Sequence, residues 1–395
     1  MSNEIKNLLE KGVVEIFVKE DLEKKLQSGK PLKIKFGIDP TGSDLHLGHM
    51  VPIRKLAQFQ KMGHEIQLLF GTFTAQIGDP TGKSEARQIK TREEVQKNAE
   101  TYVNQVSKVL DTKKIKLYYN DEWLSGMSLK EVCELAASFT VQQMIQRDMF
   151  QERIKAGTPI HLHEFLYPLM QGYDSVIMKS DVEIGATEQT FNMLAGRTIQ
   201  KHFGLPQQNV LSVPILVGLD GKMKMGKSLN NYIGVNESPK DMFGKTMSIP
   251  DELITTYFEL ATDLSMEDIN QVKTALEGGE NPRNLKMQLA KEIVSIYHSK
   301  EEAQKAQEEF INIFAKKEIP EDIEEILLPE SAYKIVQLIA LCGFSGSNGE
   351  IKRLVLQNAV KVNNEKISNP DDTVDISEEI ILQVGKRSFY KVKKA

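Results

Sequence analysis

The sequence predicts an α/β fold built on a parallel sheet, and three stretches carry that prediction. Residues 32–38 (LKIKFGI) form an apolar, β-branched run that stops at Asp39-Pro40, the pattern of a buried strand. Residues 49–62 space Val51, Leu56, Phe59 and Met62 at helical intervals and end at Gly63, a residue suited to closing a helix C-terminus. Residues 66–70 make a second apolar run, ended by Gly71. Strand, helix and strand in this order form a βαβ unit, whose two strands lie parallel.

Helical spacing returns over residues 92–110, and 115–118 form a short strand. Residues 129–154 are mostly helical, as are 163–178 and 187–202. A further strand at 211–217 runs into the turn Leu219-Asp220-Gly221. From 238 to 315 only helical patterns occur. The acidic stretch 317–330, with Pro320 and Pro329, is expected to be a linker. Beyond it, helices at 333–341 and 348–357 and short strands at 360–362, 380–384 and 389–392 make a small α+β appendage. The expected division is a parallel-sheet domain with an inserted helical region (1–235), a helical domain (236–316), the linker, and the appendage (331–395).

Composition narrows the class. At 395 residues the chain exceeds one ordinary hydrophobic core, and 40% hydrophobic with 27% charged residues is a globular composition. Cys133 and Cys342 lie far apart and neither belongs to a CxxC pair, which disfavours a disulfide framework and a cysteine zinc site and suits a reducing cytoplasm. The N-terminus is apolar at helical spacing but charged throughout, and no run of 18 apolar residues occurs, so neither a signal peptide nor a membrane partner is expected. Residues 331–395 hold ten Lys/Arg against seven Asp/Glu in a chain of net charge −5, a mildly basic tail on an acidic body. That asymmetry fits a local polyanion contact.

Two motifs describe a clamp for a nucleoside triphosphate. Asp39-Pro40-Thr41-Gly42 followed by His46-Leu47-Gly48-His49 falls between the first strand and the helix after it. Free N–H groups and the helix dipole favour phosphate there, imidazoles donate to phosphoryl oxygens, and a glycine lets a flat base approach the backbone. The second motif, Lys224-Met225-Gly226-Lys227-Ser228, comes after a strand. Residues Gly221 to Ser228 also satisfy G-x-x-x-x-G-K-[ST], the phosphate loop of a P-loop NTPase. Against that alternative, Gly234 and Pro239 interrupt the segment after Ser228, no later strand ends in a magnesium-binding Asp, and the βαβ signal lies upstream. His161-Leu162-His163-Glu164 matches neither HExxH nor a structural zinc set and is expected to open a helix, so no dedicated metal site is expected.

The paired motifs resemble the HIGH and KMSKS signatures of class I aminoacyl-tRNA synthetases. Three more stretches resemble the bacterial tyrosyl-tRNA synthetases: residues 77–83 (IGDPTGK), 167–174 (YPLMQGYD) and 185–189 (GATEQ). The tail is similar to a small RNA-binding module shared with a ribosomal protein. The resemblance implies a Rossmann-like catalytic domain and ATP-dependent attachment of tyrosine to tRNA(Tyr), with Mg2+ accompanying ATP, by a cytoplasmic homodimer.

It also implies roles. Thr41 and His46 would hold the outer phosphates of ATP and His49 would lie near the ribose, with Asp39, Gly48, Glu188 and Ser228 lining the nucleotide site. Lys83, Arg87, Lys224 and Lys227 would neutralise departing pyrophosphate. Asp79, Tyr167 and Gln171 would grip the tyrosine amino group, Asp174 would accept from the phenol, and Gln189 would help to place the carboxylate. Tyr167, Gln171 and Asp174 are spaced i, i+4, i+7, so a helix puts them on one face. Lys352, Arg353 and Lys361 would meet tRNA phosphates. The segment 129–154 is the expected dimer interface.

The chain departs from the family at Lys35, where a tyrosine often serves as second partner of the phenol, and at Ala186, Glu188 and Gly226. Lys35 is therefore a further candidate for tyrosine binding. Tryptophanyl-tRNA synthetase shares the scaffold and is the nearest alternative. A P-loop NTPase and a non-catalytic RNA-binding paralogue are the alternatives from other classes.

Overall fold

The computed structural model describes residues 2–40, 44–81, 92–315, 323–344, 346–385 and 388–395. Thr41, Lys83 and Arg87 lie outside the described residues. Contacts divide the chain into two units, Met1–Gln307 and Glu308–Ala395.

The first unit is organised by a six-stranded sheet formed by β1 (Glu15–Phe17), β2 (Lys33–Ile38), β3 (Glu65–Phe70), β4 (Ile115–Tyr119), β5 (Val182–Ala186) and β6 (Asn209–Val213). Their order is β1-β6-β5-β2-β3-β4. All neighbours pair in parallel except β1, which runs antiparallel to β6 with Glu15 opposite Ser212. The expected βαβ unit is present: β2 and β3 pair from Lys33 opposite Glu65 to Ile38 opposite Phe70. Between them runs helix α1 (Leu47–Lys61). It buries Leu47, Met50, Val51, Ile53, Leu56 and Phe59. Each such side chain stabilises the fold by about 1.5–3 kcal/mol.

The chain lays down β2, β3 and β4 in one direction and then returns to place β5 and β6 on the other side of β2. The sheet therefore has a topological switch point between β2 and β5, where a crevice opens at the carboxyl ends of the strands. Helices α2 (Arg92–Val106), α3 (Leu162–Met178) and α4 (Thr190–His202) belong to the same unit, and α3 and α4 contribute side chains to the wall of this crevice.

Some elements differ from expectation. Residues 129–154 form three short helices, Leu129–Ala136, Val141–Ile145 and Asp148–Lys155. Ser128 caps the first helix and Thr140 the second, each accepting from the backbone N–H three residues on, and the cap at Thr140 divides the run. The N-terminal β1 has no apolar alternation to announce it and exists through its pairing with β6.

Within the segment expected to be a linker, Glu324–Leu328 is a strand paired in parallel with residues 390–394. The apolar run Ile326-Leu327-Leu328 outweighs its acidic neighbours, and Leu328 joins the core of the second unit. That core gathers Ile335, Leu338, Ile351, Val355, Val360, Leu382 and Val392 between two helices, Ile335–Leu341 and Asn348–Leu356, and a five-stranded sheet. Among the described residues no helix is long and apolar enough to cross a membrane.

Candidate active site at the sheet switch point

A cavity of about 340 Å³ occupies the crevice. Its walls come from the carboxyl ends of β2, β3 and β5, from α1 and α3, and from the segment after β6. It brings together Asp39, His46, Gly48, His49, Asp79, Tyr167, Gln171, Asp174, Glu188, Gln189 and Lys224, all expected site residues.

At the inner end, Tyr167, Gln171 and Asp174 share one face of α3, as their spacing predicts. Asp174 is 1% exposed; its Oδ1 accepts from Trp123 Nε1 at 2.8 Å and its Oδ2 from Asn120 Nδ2 at 3.3 Å. Burial pushes the carboxyl up to about 7, against the opposing pull of Lys35, Trp123 and Asn120. The Tyr167 hydroxyl donates to Asp39 Oδ2 at 2.9 Å, and Thr74 Oγ1 donates to Asp39 Oδ1 at 2.9 Å. Gly71 makes this possible, because a Cβ there would stand 2.0 Å from Asp39 Oδ1. Gln189 donates to Asp79 and to Thr81 Oγ1, and Asn192 donates to Gln189 Oε1 at 3.0 Å.

Trp123, Asn120 and Thr74 are not singled out by the sequence reading. Thr74 stands three residues before the 77–83 motif, Asn120 and Trp123 follow β4, and the parallel pairing of β3 with β4 brings these segments together. A polar residue just past the end of each strand was the only available clue.

Lys35 requires a correction. It is fully buried and is absent from the cavity wall, which is formed there by Phe36 and Glu183. Its ammonium gives its three protons to Gln171 O at 2.8 Å, Ser175 Oγ at 2.7 Å and Glu183 Oε1 at 3.0 Å. With no proton left for a substrate phenol, it does not replace the family's tyrosine.

The outer end is built on the N-terminus of α1. His46 precedes the helix, and its backbone N–H donates to His49 Nδ1 at 3.3 Å. The two rings stack with centroids 3.7 Å apart. Since His49 Nδ1 accepts, its Nε2 carries the proton. Desolvation, helped for both rings by the Lys227 charge and for His46 also by His49, holds His46 down to about 3 and His49 down to about 4. Both are therefore neutral donors at physiological pH. His46 Nδ1 is buried with no partner among the described residues. A Cβ on Gly48 would lie 3.1 Å from the His46 ring, so glycine keeps this floor open. An unmatched buried nitrogen, a bare glycine and a positive helix end suit a nucleotide.

The lysine loop stands opposite. Asn231, 4% exposed, ties it down: its Oδ1 accepts from Gly226 N at 2.8 Å and its Nδ2 donates to Asp220 Oδ2 at 3.0 Å. Leu47 N donates to Ile233 O, and His46 bridges Gly234, so the segment after the loop clasps the histidine turn. Lys224 pairs with Glu188 at 3.0 Å and Lys227 with Asp44 at 3.5 Å. Ser228 is exposed and lies outside the cavity wall, in a single 3-10 turn at Lys227–Leu229. The next α-helix begins only at Pro239, so Gly221–Ser228 lacks the helix that a P-loop requires.

His161 sits just before α3, and Glu164 accepts from its backbone N–H at 2.8 Å, the helix start expected there. In the second unit Lys352 and Arg353 are exposed on one helix and Lys361 is half-buried on a strand.

Comparison with known proteins agrees with this architecture. Residues 27–315 match the family described as tRNA synthetases class I (W and Y). Over 390 residues the chain is 47% identical to the tyrosine–tRNA ligase of Moorella thermoacetica, covering 98% of this chain and 94% of that one. It is 48% identical to the tyrosine–tRNA ligase of Carboxydothermus hydrogenoformans, covering 98% and 96%. A C-terminally truncated mitochondrial tyrosyl-tRNA synthetase from Aspergillus nidulans has the same fold, with a TM-score of 0.66 at 24% identity over 80% of this chain and 95% of that one. The chain belongs to the class I tRNA synthetases of the tryptophan and tyrosine group and, within it, to the tyrosine–tRNA ligases.

Proposed function

We propose that the chain activates tyrosine with ATP and transfers it to the 3′ end of tRNA(Tyr). The observation that carries this reading is the two-ended cavity. One end offers a buried carboxylate, held by Trp123 and Asn120, to a phenol; the other offers neutral imidazoles, a helix N-terminus and Lys224 to a triphosphate.

In the first step the tyrosine carboxylate attacks the α-phosphorus of ATP. A carboxyl-oxygen to phosphorus bond forms, the bond to the β-phosphate bridging oxygen breaks, and pyrophosphate leaves. The nucleophile is already ionised, so the protein needs no general base. Its contribution is positioning and charge stabilisation. Asp79, Tyr167 and Gln171 hold the amino group and Asp174 the phenol. His46 donates to phosphate oxygens, His49 lies at the ribose, and Lys224 and Lys227 meet the departing pyrophosphate, with Thr41, Lys83 and Arg87 assisting. Magnesium belongs to the ATP substrate in this scheme and no step is assigned to it; among the described residues no three potential ligands cluster to hold a metal. In the second step a terminal ribose hydroxyl of the tRNA attacks the activated carbonyl and AMP leaves.

Lys352, Arg353 and Lys361 would meet RNA phosphates, which makes charging more salt-sensitive than adenylate formation. Two copies of the chain would meet through residues 129–154, where Leu129 and Val141 expose apolar side chains. The reaction would take place in the cytoplasm. The test is ATP–pyrophosphate exchange with each of the twenty amino acids in turn. Tyrosine alone should support exchange. Exchange with tryptophan instead, or ATP hydrolysis with no amino acid, would overturn the reading.

A further inference from the structure

Glu183 lies on β5, is 1% exposed, and lines the cavity behind Gln171. Its two oxygens accept from four donors. Oε1 takes Gln171 Nε2 at 3.1 Å and Lys35 Nζ at 3.0 Å; Oε2 takes Ser175 Oγ at 3.2 Å and Gln208 Nε2 at 2.5 Å. The network is closely built, since a Cβ on Gly196 would stand 2.6 Å from Gln208 Nε2 and 3.0 Å from Ser175 Oγ.

This arrangement bears on an ambiguity in Gln171. A glutamine amide has a donor face and an acceptor face, and either could point into the cavity. A carboxylate paired with an ammonium is an acceptor only, so Glu183 takes the NH2 group of Gln171 and leaves Oε1 as the face toward the cavity. Tyr167 gives its proton to Asp39, so its hydroxyl oxygen is also left as an acceptor. With the Asp79 carboxylate, three acceptors line the same cavity, and a primary ammonium has three N–H donors. Had the amide been reversed, its NH2 would oppose that ammonium.

We propose that Glu183, held by Lys35, is a positioning residue that fixes the orientation of the Gln171 amide and so makes the cavity select a substrate bearing a primary ammonium. The proposal rests on the reading of this cavity as a tyrosine site. It assigns Lys35 and Glu183 a joint role, although neither is required to touch the substrate.

The test compares binding of tyrosine with that of 3-(4-hydroxyphenyl)propionate, which keeps the phenol and carboxylate but lacks the amine. In Glu183→Gln the new side chain can donate as well as accept, so Gln171 is free to turn. The preference for tyrosine over the des-amino analogue should fall at least tenfold through weaker tyrosine binding. The KM for ATP and the affinity for the analogue should stay near wild type. A merely structural role would weaken both ligands alike and leave their ratio intact. Because Glu183→Gln leaves Lys35 buried without its counter-ion, the double variant Lys35→Met with Glu183→Gln supplies a charge-neutral version, with the same loss of preference expected. A wild-type ratio in either folded variant would overturn the proposal. Should neither fold, a crystal structure of the wild type with tyrosine decides: the Gln171 amide within hydrogen-bond distance of the amino nitrogen supports it, and the amide on the carboxylate overturns it. Failure of the underlying reading is distinguishable, because the wild type would then show no tyrosine-dependent pyrophosphate exchange at all.

Discussion

The two ends of the cavity are built differently. At the inner end Asp174, Lys35 and Glu183 are 1%, 0% and 1% exposed, and each makes hydrogen bonds to fixed neighbours. At the outer end Lys224, Lys227 and Glu188 have side chains 47%, 35% and 41% exposed, and the lysines are held in ion pairs at the surface. Buried, fully matched polar networks hold one geometry, whereas exposed ion pairs contribute only about 0–1 kcal/mol and are readily exchanged. The inner end is thus preorganised for recognition. The outer end keeps its charges on weak tethers, which in the proposed function a triphosphate would replace.

The sharpest way to break that contrast is to remove the outer charges. Lys224→Ala combined with Lys227→Ala should slow adenylate formation by about a thousandfold, the scale expected when preorganised charge at a developing anion is lost. Tyrosine affinity, measured by equilibrium binding without ATP, should change less than about twofold, because neither lysine contacts the inner network. Unchanged pyrophosphate exchange would show that the lysines do not serve the reaction.

The reciprocal change attacks the inner end. Sites that hydrogen-bond a substrate hydroxyl strongly reject the analogue lacking it, and tyrosyl-tRNA synthetases are the standard illustration. Asp174→Ala leaves Trp123 Nε1 without its acceptor and Asn120 Nδ2 with Thr74 Oγ1 alone, and should reduce the tyrosine-over-phenylalanine ratio of exchange efficiency by about a hundredfold or more. Retained discrimination would move phenol recognition to another group, and Lys35 is not available for it.

A smaller effect should appear in the pH dependence of stability. The folded-state value of Asp174 is raised from 3.8 to about 7, mainly by burial. Between those values the folded state holds a proton that the unfolded chain has released, so this group makes stability fall as pH rises through that window and level off above it. Asp174→Asn removes the effect. Between pH 5 and pH 8 the wild type should lose more stability than the variant, by about 2.7 kcal/mol, two pH units at about 1.36 kcal/mol each. Taking the difference cancels the other titrating groups, the depressed His46 and His49 among them. Parallel pH curves from denaturant titrations would mean that Asp174 ionises freely and that the inner end is wetter than the structure indicates.

Legibility in the sequence divides along the same line. Helix and strand periods made β2, α1 and β3 readable, and short-range spacing placed His46 beside His49 and Tyr167 beside Gln171 and Asp174. These are local relations, set by the rise and turn of one element. The partners that give the inner end its character are not local. Trp123 meets Asp174 across 51 residues, Lys35 meets Ser175 across 140, and Tyr167 meets Asp39 across 128. Such contacts are set by strand order, which no window of sequence displays. Lys35 shows the cost of reading position without depth: it stands next to the cavity in sequence, but its ammonium is buried against Gln171, Ser175 and Glu183 while Phe36, Gly37 and Ile38 line the cavity. The strand Glu324–Leu328 was obscured for a related reason, since its partner lies more than 60 residues on.

The finest probe of the contrast is Asp44, which holds Lys227 at 3.5 Å at the outer end. The pair is half exposed, so Asp44→Ala should alter global stability by less than about 0.5 kcal/mol in denaturant titration. If the ion pair is only a tether, freeing Lys227 should leave the KM for ATP unchanged or lower it by about twofold, with the largest change at low salt, where such pairs are strongest. Tyrosine binding should not respond. A tenfold rise in the KM for ATP would instead place Asp44 within the nucleotide site. The outer end would then be preorganised to a degree closer to that of the tyrosine pocket.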